Sequence, residues 1–258
     1  MPVITLTTDM GNAGYYVASV KAAIISGLPD ATLVDITHSI RPFHVSSAAF
    51  IIRNVYKQFP EDTIHIVAVD ALNSPHSRVI AIKMDNHYFI GPDNGLFSLV
   101  FSTPPFEVIE ITIPPNPASM AFTAKDIMAK AAVHIAKSGN MKEIGQEYKN
   151  YVQLTAWQPI YNDSSIRTSV VYVDEYGNCI FNLEKNLFEQ VARSRKFSIE
   201  VKRNPISIIS NTYNDVGGGD LVALFTGSGL LEIAINRGNI SELLGLKEGD
   251  SVLISFEG

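Results

Sequence analysis

The feature that most constrains this chain is an alternation that holds from residue 3 to residue 70. "VITLTTD" (3–9) is an apolar run of strand length, "GYYVASVKAAIISGL" (14–28) has the spacing of an amphipathic helix that closes at Gly27, and "TLVDITH" (32–38) is strand-like again. "VSSAAFIIRNVYKQF" (45–59) predicts a second helix and "DTIHIVAVD" (62–70) a third strand. Near-continuous apolar strands separated by helices of this length indicate a mostly parallel sheet covered on both faces. "VIAIKMDNHYFIGPDNG" (79–95) departs from the rhythm: two strands meet across Asp85-Asn86, a turn-forming pair, and predict a hairpin. "AKDIMAKAAVHIAKSG" (124–139) carries apolar residues at 127, 128, 131, 132 and 135, a helical stripe closed by Gly139.

From about residue 150 the signals change. "NYVQLTAWQPIYNDSS" holds Pro159 and no sustained period, and reads as a connector. Short strands follow, in "IRTSVVYVDEYGN", "FSIEVK", "PISIISN", "LVALFTGSGLLEIAIN" and "SVLISFEG", and only "EKNLFEQVARS" (184–194) is helical in pattern. The expected organisation is an α/β N-terminal domain over 1–150 with a mostly parallel sheet between helices, a linker over 151–166, and a smaller, mostly antiparallel β C-terminal domain over 167–258, a barrel or sandwich.

Composition narrows the class. With 258 residues, 46 % of them hydrophobic, the chain can bury a full core. "MPVITLTTDMG" has neither the basic region nor the apolar stretch of a secretory signal, and no run approaches the roughly 18 apolar residues that read as a membrane helix. The one cysteine, Cys179, excludes an intrachain disulfide framework and a Cys-rich zinc site, so a cytoplasmic protein without a metal is expected. The net charge of −6 arises from scattered acids and the bases form no patch, which argues against nucleic acid as a partner.

In α/β domains ligands sit beyond the carboxyl ends of parallel strands. The three strands end at Asp9, at Asp35 with His38, and at Asp70. A single strand-end aspartate is ordinarily a cap or turn residue; several on one edge point to a site. Asp70 opens "DALNSPHSR", with His76 inside and Arg78 at its far end. A carboxylate beside an arginine keeps its charge and can orient a water, although the same pair can be a surface salt bridge. "GPDNG" (91–95) reads first as a tight turn. "DEYGN" (174–178) offers a carboxylate, a ring and an amide, or a plain hairpin turn. "GSGLLEIAIN" (227–236) imitates a phosphate loop, but a strand follows the glycines, so no helix dipole is available to hold phosphate. The six histidines show no HExxH or H-x-x-x-H spacing, and no GxSxG elbow occurs.

Taken in order, five segments resemble the S-adenosylmethionine (SAM) hydroxide adenosyltransferase family, whose relatives include fluorinases and chlorinases. "LTTDMG" is similar to the family's "LTDFG", "VDITHSIRPF" to its second strand and loop, "FIGPDNGLFS" to "FVGPDNGVLS", "VDEYGNCIFN" to "IDRFGNLITN" and "GSGLLEIAINRGN" to "NSGLLEIAVNQGN". The resemblance implies a homotrimer with sites at subunit interfaces. It also implies SAM as substrate, no cofactor, and water attacking the ribose C5′ in line with the sulfonium to give adenosine and methionine. By position it assigns Asp9 to the ribose hydroxyls, Phe43 to the ribose and sulfonium region, and Asp70, Arg78 and Thr123 to the water. Asp174 falls to the methionine ammonium, Tyr176 to stacking on adenine, Asn178 to the base edge and Ser228 to the methionine carboxylate; Asn73 and Asn236 complete the ligand-binding set. The chain departs from the family at three points. "DALNS" stands for "DPGVG", which places Arg78 one position late; Gly14 replaces an acidic residue; and "FTA" (122–124) stands for "FHG", so that Thr123 occupies the position of a histidine. Threonine can hydrogen-bond water but cannot act as a base near neutral pH, which leaves a non-catalytic or differently reacting binder of SAM or adenosine as the alternative reading.

Overall fold

A computed structural model describes residues 1–71, 77–114 and 122–257, in two compact units, Met1–Thr155 and Ala156–Gly258. The first unit runs β1 (Val3–Thr8), α1 (Tyr16–Gly27), β2 (Thr32–Thr37), α2 (Val45–Val55), β3 (Ile64–Ala68), β4 (Val79–Met84), β5 (His87–Pro92), α3 (Leu96–Val100), β6 (Glu107–Ile111), α4 (Ala129–Ser138) and β7 (Gly145–Glu147). Its strands form one sheet in the order β2-β1-β3-β5-β4-β6-β7. The pairings β2–β1, β1–β3 and β3–β5 are parallel. Those of β5–β4, β4–β6 and β6–β7 are antiparallel. The sheet is therefore parallel only in its first half, not mostly parallel. The cause is the 79–92 hairpin: its two-residue Asp85-Asn86 turn, with φ of +49° and +60°, forces β4 antiparallel to β5, and β6 adds to β4 in the same sense.

Side-chain alternation along the strands builds two cores. Ile4 and Leu6 of β1 face one side and are fully buried with Val20 and Ile24 of α1 and Ala132 and Ile135 of α4. Val67, Ile80 and Phe89 face the other side, with Ala48 and Ile52 of α2 and Leu96 and Phe97 of α3. Each such large apolar side chain contributes about 1.5–3 kcal/mol on burial, so helices on both faces fix which strand residues point where. The expected stripe over 124–139 is helical, but its first turn, Ala124–Met128, is wound as a π-helix before α4 continues to Gly139, whose φ of +67° ends it.

The second unit comprises β8 (Ile160–Tyr161), β9 (Ser165–Val173), β10 (Cys179–Glu184), α5 (Lys185–Ala192), β11 (Phe197–Val201), β12 (Asn204–Ile206), β13 (Leu221–Phe225), β14 (Leu230–Ile235), α6 (Ile240–Leu244) and β15 (Ser251–Phe256). Every pairing is antiparallel, in the order β12-β11-β15-β9-β10-β14-β13 with β8 on β9. The sheet curls like a barrel: the chain just beyond β12 meets the other edge strand where the Ser210 N–H donates to the Ala223 carbonyl at 2.7 Å. Ile166, Phe181, Leu231 and Ile254 fill the interior. Among the described residues no helix is long and apolar enough to cross a membrane.

Candidate functional site

The carboxyl ends of β1, β2 and β3 lie side by side, and short bonds stitch them together. His38, buried at the end of β2, bonds through Nδ1 to Thr8 Oγ1 at 2.9 Å, and its carbonyl accepts from the Gly11 N–H at 2.8 Å. Its Nε2 lies 3.1 Å from Asp35 Oδ1 but outside hydrogen-bond geometry. The polar tip of "VDITHSI" is thus a clasp between two strand ends.

Asp9 performs the next joining step. Its Oδ2 accepts from the backbone N–H of Phe43 at 2.9 Å and of Asp70 at 3.1 Å, so one carboxylate sets the loops after β2 and β3 at once. Both donors hold left-handed backbones, Phe43 at φ +68° and Asp70 at φ +50°. Aspartate tolerates that region, whereas for a bulky phenylalanine it is strained, and such strain persists where surrounding structure imposes it. The Phe43 ring is left 63 % exposed at the edge. Partial burial, and then the neighbouring Asp9 charge, raise the Asp70 carboxyl above its ordinary pKa. Asn94 supports the same loop, donating to the Val69 carbonyl at 3.1 Å while its Oδ1 accepts from the Leu96 N–H. The local sequence of "GPDNG" announces a turn but not this bracing role, because the partner lies 25 residues away.

Thr123 is buried, its hydroxyl without a hydrogen-bond partner among the described residues, and its neighbours Phe122 and Ala124 belong to the core that also holds Met10, Ala68 and Ala71. Tyr16 meets the Phe122 ring edge-on at 5.5 Å and stacks on Tyr15, adding an aromatic flank that the sequence reading passed over. Arg78 is engaged differently from the expected water-orienting pair: its Nε lies 3.1 Å from Glu110 Oε1, and its guanidinium sits over the Tyr148 ring. Asn73, assigned to the ligand by resemblance, and His76 lie outside the described residues.

In the second unit "DEYGN" closes on itself. Asp174 Oδ1 accepts from the N–H groups of Tyr176 at 2.9 Å and Asn178 at 2.8 Å, and Oδ2 accepts from Asn178 Nδ2 at 3.1 Å. Asn178 is buried with its amide nitrogen held, while the Tyr176 ring is 79 % exposed. Buried Glu232 accepts from the Tyr213 hydroxyl at 2.6 Å. Burial raises its pKa and the Asp174 charge adds to that, against the opposing Tyr213 bond. Ser228 pairs with the Thr226 hydroxyl at 2.9 Å in the β13–β14 hairpin. Asn236, placed in the ligand set by resemblance, spends its Nδ2 on the Val216 carbonyl at 2.9 Å.

Gly177 sits at φ +79°, and a Cβ there would lie 1.9 Å from Asn239 Oδ1, the atom that caps α6 by accepting from the Glu242 N–H. Gly177→Ala is expected to destabilise the second unit by about 2–3 kcal/mol, from the left-handed backbone penalty plus a displaced cap. Denaturant unfolding of the purified variant measures this, and an unchanged midpoint would contradict it.

None of the predicted residues lines the cavity of about 710 Å³ that opens at the β6–β7 edge between Phe101, Phe106 and Tyr148. Among the described residues no group of three or more His, Cys, Asp or Glu is placed to hold a metal.

Residues 4–145 match the SAM hydroxide adenosyltransferase N-terminal domain and residues 168–253 its C-terminal domain. The chain is similar to the (R)-S-adenosyl-L-methionine hydrolase of Thermus thermophilus, 30 % identical over 96 % of this chain and 98 % of that protein. A fluorinase of Actinopolyspora mzabensis is 22 % identical over 98 % of this chain and 97 % of its own length. A crystal structure of an uncharacterized conserved protein from Thermotoga maritima superposes with a TM-score of 0.89 at 30 % identity, covering 98 % of this chain and 99 % of that one. With both of its halves matched in order, this chain belongs to the SAM hydroxide adenosyltransferase family.

Proposed function

We propose that the protein hydrolyses SAM, water displacing methionine from the ribose C5′ to leave adenosine. The observation that carries this reading is that Asp9 holds the backbone N–H of Asp70 at the carboxyl edge of the parallel strands and lies near enough for its charge to act on the Asp70 carboxylate. The leaving sulfur is already cationic, so the reaction needs little covalent help. It needs a water held in line and partly stripped of solvent, and a negative surround that draws the sulfonium in. In this reading Asp70 orients the water. Asp9, whose two backbone bonds both fall on Oδ2, offers Oδ1 to the ribose hydroxyls. Phe43 packs beside the sulfonium. Arg78, held by Glu110, acts on the loop that carries Asp70 rather than on the water itself.

The second-unit turn supplies the rest. Tyr176 stacks on adenine; Asn178, with Nδ2 held by Asp174, offers its Oδ1 to the base amine; Asp174 and Ser228 take the methionine ammonium and carboxylate. We read Asn236 as shaping this pocket through its backbone tie rather than touching ligand. The trimer implied by the resemblance would let neighbouring subunits share each site, which the exposed Phe43 and Tyr176 rings support. A halide nucleophile, as the fluorinase relatives' name implies for them, is disfavoured because the Asp70 carboxylate would repel an anion.

A second reading, binding of SAM without turnover, draws on the resemblance, which sets Thr123 against the family's histidine. Incubation with both sulfonium epimers of SAM in ¹⁸O-water distinguishes the two. Hydrolysis places one ¹⁸O in the 5′-hydroxyl of adenosine, with stoichiometric methionine. Intact SAM with binding heat in calorimetry supports the second reading and overturns the first.

A further inference from the structure

Asp9 and Phe43 stand on two loops, 9–12 after β1 and 38–43 after β2, and hydrogen bonds tie one loop to the other. Asp9 Oδ2 accepts from the Phe43 N–H at 2.9 Å, the His38 carbonyl accepts from the Gly11 N–H at 2.8 Å, and Asn12 Nδ2 donates to Ser39 Oγ at 3.1 Å. The bond of His38 Nδ1 with Thr8 Oγ1, at 2.9 Å, is buried, on residues 5 % and 2 % exposed. Water can replace a lost bond at an exposed contact such as that of Asn12 with Ser39, but not one sealed inside the protein, so the His38–Thr8 contact is the one whose loss the loops would feel.

Its direction follows from what stands at the other end of the ring. His38 Nε2 lies 3.1 Å from Asp35 Oδ1, while Asp35 Oδ2 is held by Lys21 Nζ. A carboxylate paired with a lysine has no proton to give, so at that distance Nε2 carries the hydrogen. In the neutral ring Nδ1 is then the acceptor, and the Thr8 hydroxyl donates to it. The same hydroxyl oxygen accepts from the Met10 N–H at 3.3 Å. Thr8 and Met10 are the two neighbours of Asp9, and both are therefore anchored, one directly and one through the Thr8 hydroxyl, on a single buried imidazole. Two apolar side chains would fill this strand end as well and avoid burying polar atoms. What they would not supply is direction, which a hydrogen bond imposes on the Thr8 side chain and through it on Met10.

Resting on the hydrolysis reading above, we propose that His38 is a positioning residue for substrate binding. Through Thr8 it fixes the backbone on both sides of Asp9, so that Oδ1 is presented to the ribose hydroxyls while Oδ2 keeps the Phe43 and Asp70 N–H groups. His38 touches no reacting atom and moves no proton in the reaction.

The test measures kcat and KM for nucleoside release, with thermal melts, for the full-length protein and its variants, on SAM and on the SAM analogue that lacks both ribose hydroxyls. His38→Leu and Thr8→Val are each expected to raise KM for SAM about 10-fold, the scale of one lost hydrogen bond, with kcat within about threefold because Asp9 still holds the Asp70 N–H. On the analogue the same variants should leave KM within about twofold of the starting protein, since the contact they misplace is absent from it. Combined, they should lose no more than either alone, because both break one bond. His38→Asn, whose amide oxygen can accept in place of Nδ1, and Thr8→Ser, which keeps the hydroxyl, recover the KM that Leu and Val lose. Should His38→Leu not fold, the Val and Ser pair at residue 8 decides. A folded His38→Leu protein with unchanged KM for SAM, or a KM that rises equally on SAM and on the analogue, would overturn the positioning role while leaving SAM hydrolysis intact. A starting protein that releases no adenosine overturns the hydrolysis reading instead; calorimetric affinities of the same variants for SAM and the analogue then decide the role of His38 by the same pattern.

Discussion

Asp70→Asn is expected to lower kcat for SAM hydrolysis by about 10²- to 10⁴-fold while leaving the fold and the affinity for SAM nearly unchanged. Asparagine suits the measurement better than alanine. It tolerates the left-handed backbone at φ +50°, keeps the N–H that Asp9 accepts, and matches the side chain in size; only the charge and one acceptor oxygen are lost. Asp9→Asn should behave differently. The same carboxylate oxygen holds Phe43 and Asp70, so weakening it loosens both loops and raises KM together with the fall in kcat. Steady-state kinetics on the two variants separates alignment of the nucleophile from construction of the site. Equal kcat for Asp70→Asn and the unaltered protein would remove Asp70 from the chemistry and leave it a loop residue.

The parts of this arrangement that were legible in the sequence are those fixed by local rules. β1, α1, β2, α2 and β3 follow from the switch between strand-like and helical periodicity, and the β4–β5 hairpin from Asp85-Asn86. Placing Asp9, His38 and Asp70 on one edge needed only the rule that parallel strands end together. The rest depends on pairings across the chain. β6 joins β4 in register Ile80 with Glu110, a partnership that also captures Arg78, and no feature near residue 78 announces it. α3 and α6 are five residues each, too short for a helical period to show. The π-wound turn at 124–128 lies inside a stretch whose apolar spacing reads as regular helix, and nothing in that spacing announces it or the lack of a hydrogen-bond partner at Thr123 Oγ1 and Asp126 Oδ2 among the described residues.

The same sheet carries at its other end a buried group that limits acid tolerance. His65 of β3 is fully buried, its Nδ1 2.8 Å from Thr5 Oγ1 and its Nε2 3.2 Å from His87 Nδ1, with its ring stacked on Phe89 at 4.9 Å. Burial, with the neighbouring His87 adding to it, lowers the His65 pKa to about 3. The site has room for a neutral ring, since each imidazole nitrogen already shares its one proton or lone pair with a neighbour. The folded pKa lies below the unfolded value of about 6.5, so the unfolded chain binds a proton that the folded chain refuses. The stability that neutral His65 maintains is therefore complete above about pH 7 and is lost as pH falls from about 6.5 towards 3, at about 1.4 kcal/mol per pH unit. Between pH 6.5 and pH 5 this predicts a loss of about 2 kcal/mol from His65 alone. His87, whose pKa is also lowered by burial against the opposing charges of Asp85, Glu61 and Asp62, adds to the same slope. His65→Phe keeps a flat ring against Phe89 and removes the titrating group. It should lower stability at pH 7.5, because Thr5 and His87 lose a partner, yet flatten the decline between pH 6.5 and 5. Denaturant unfolding at those pH values provides the comparison, and parallel curves for the two proteins would show that acid acts elsewhere.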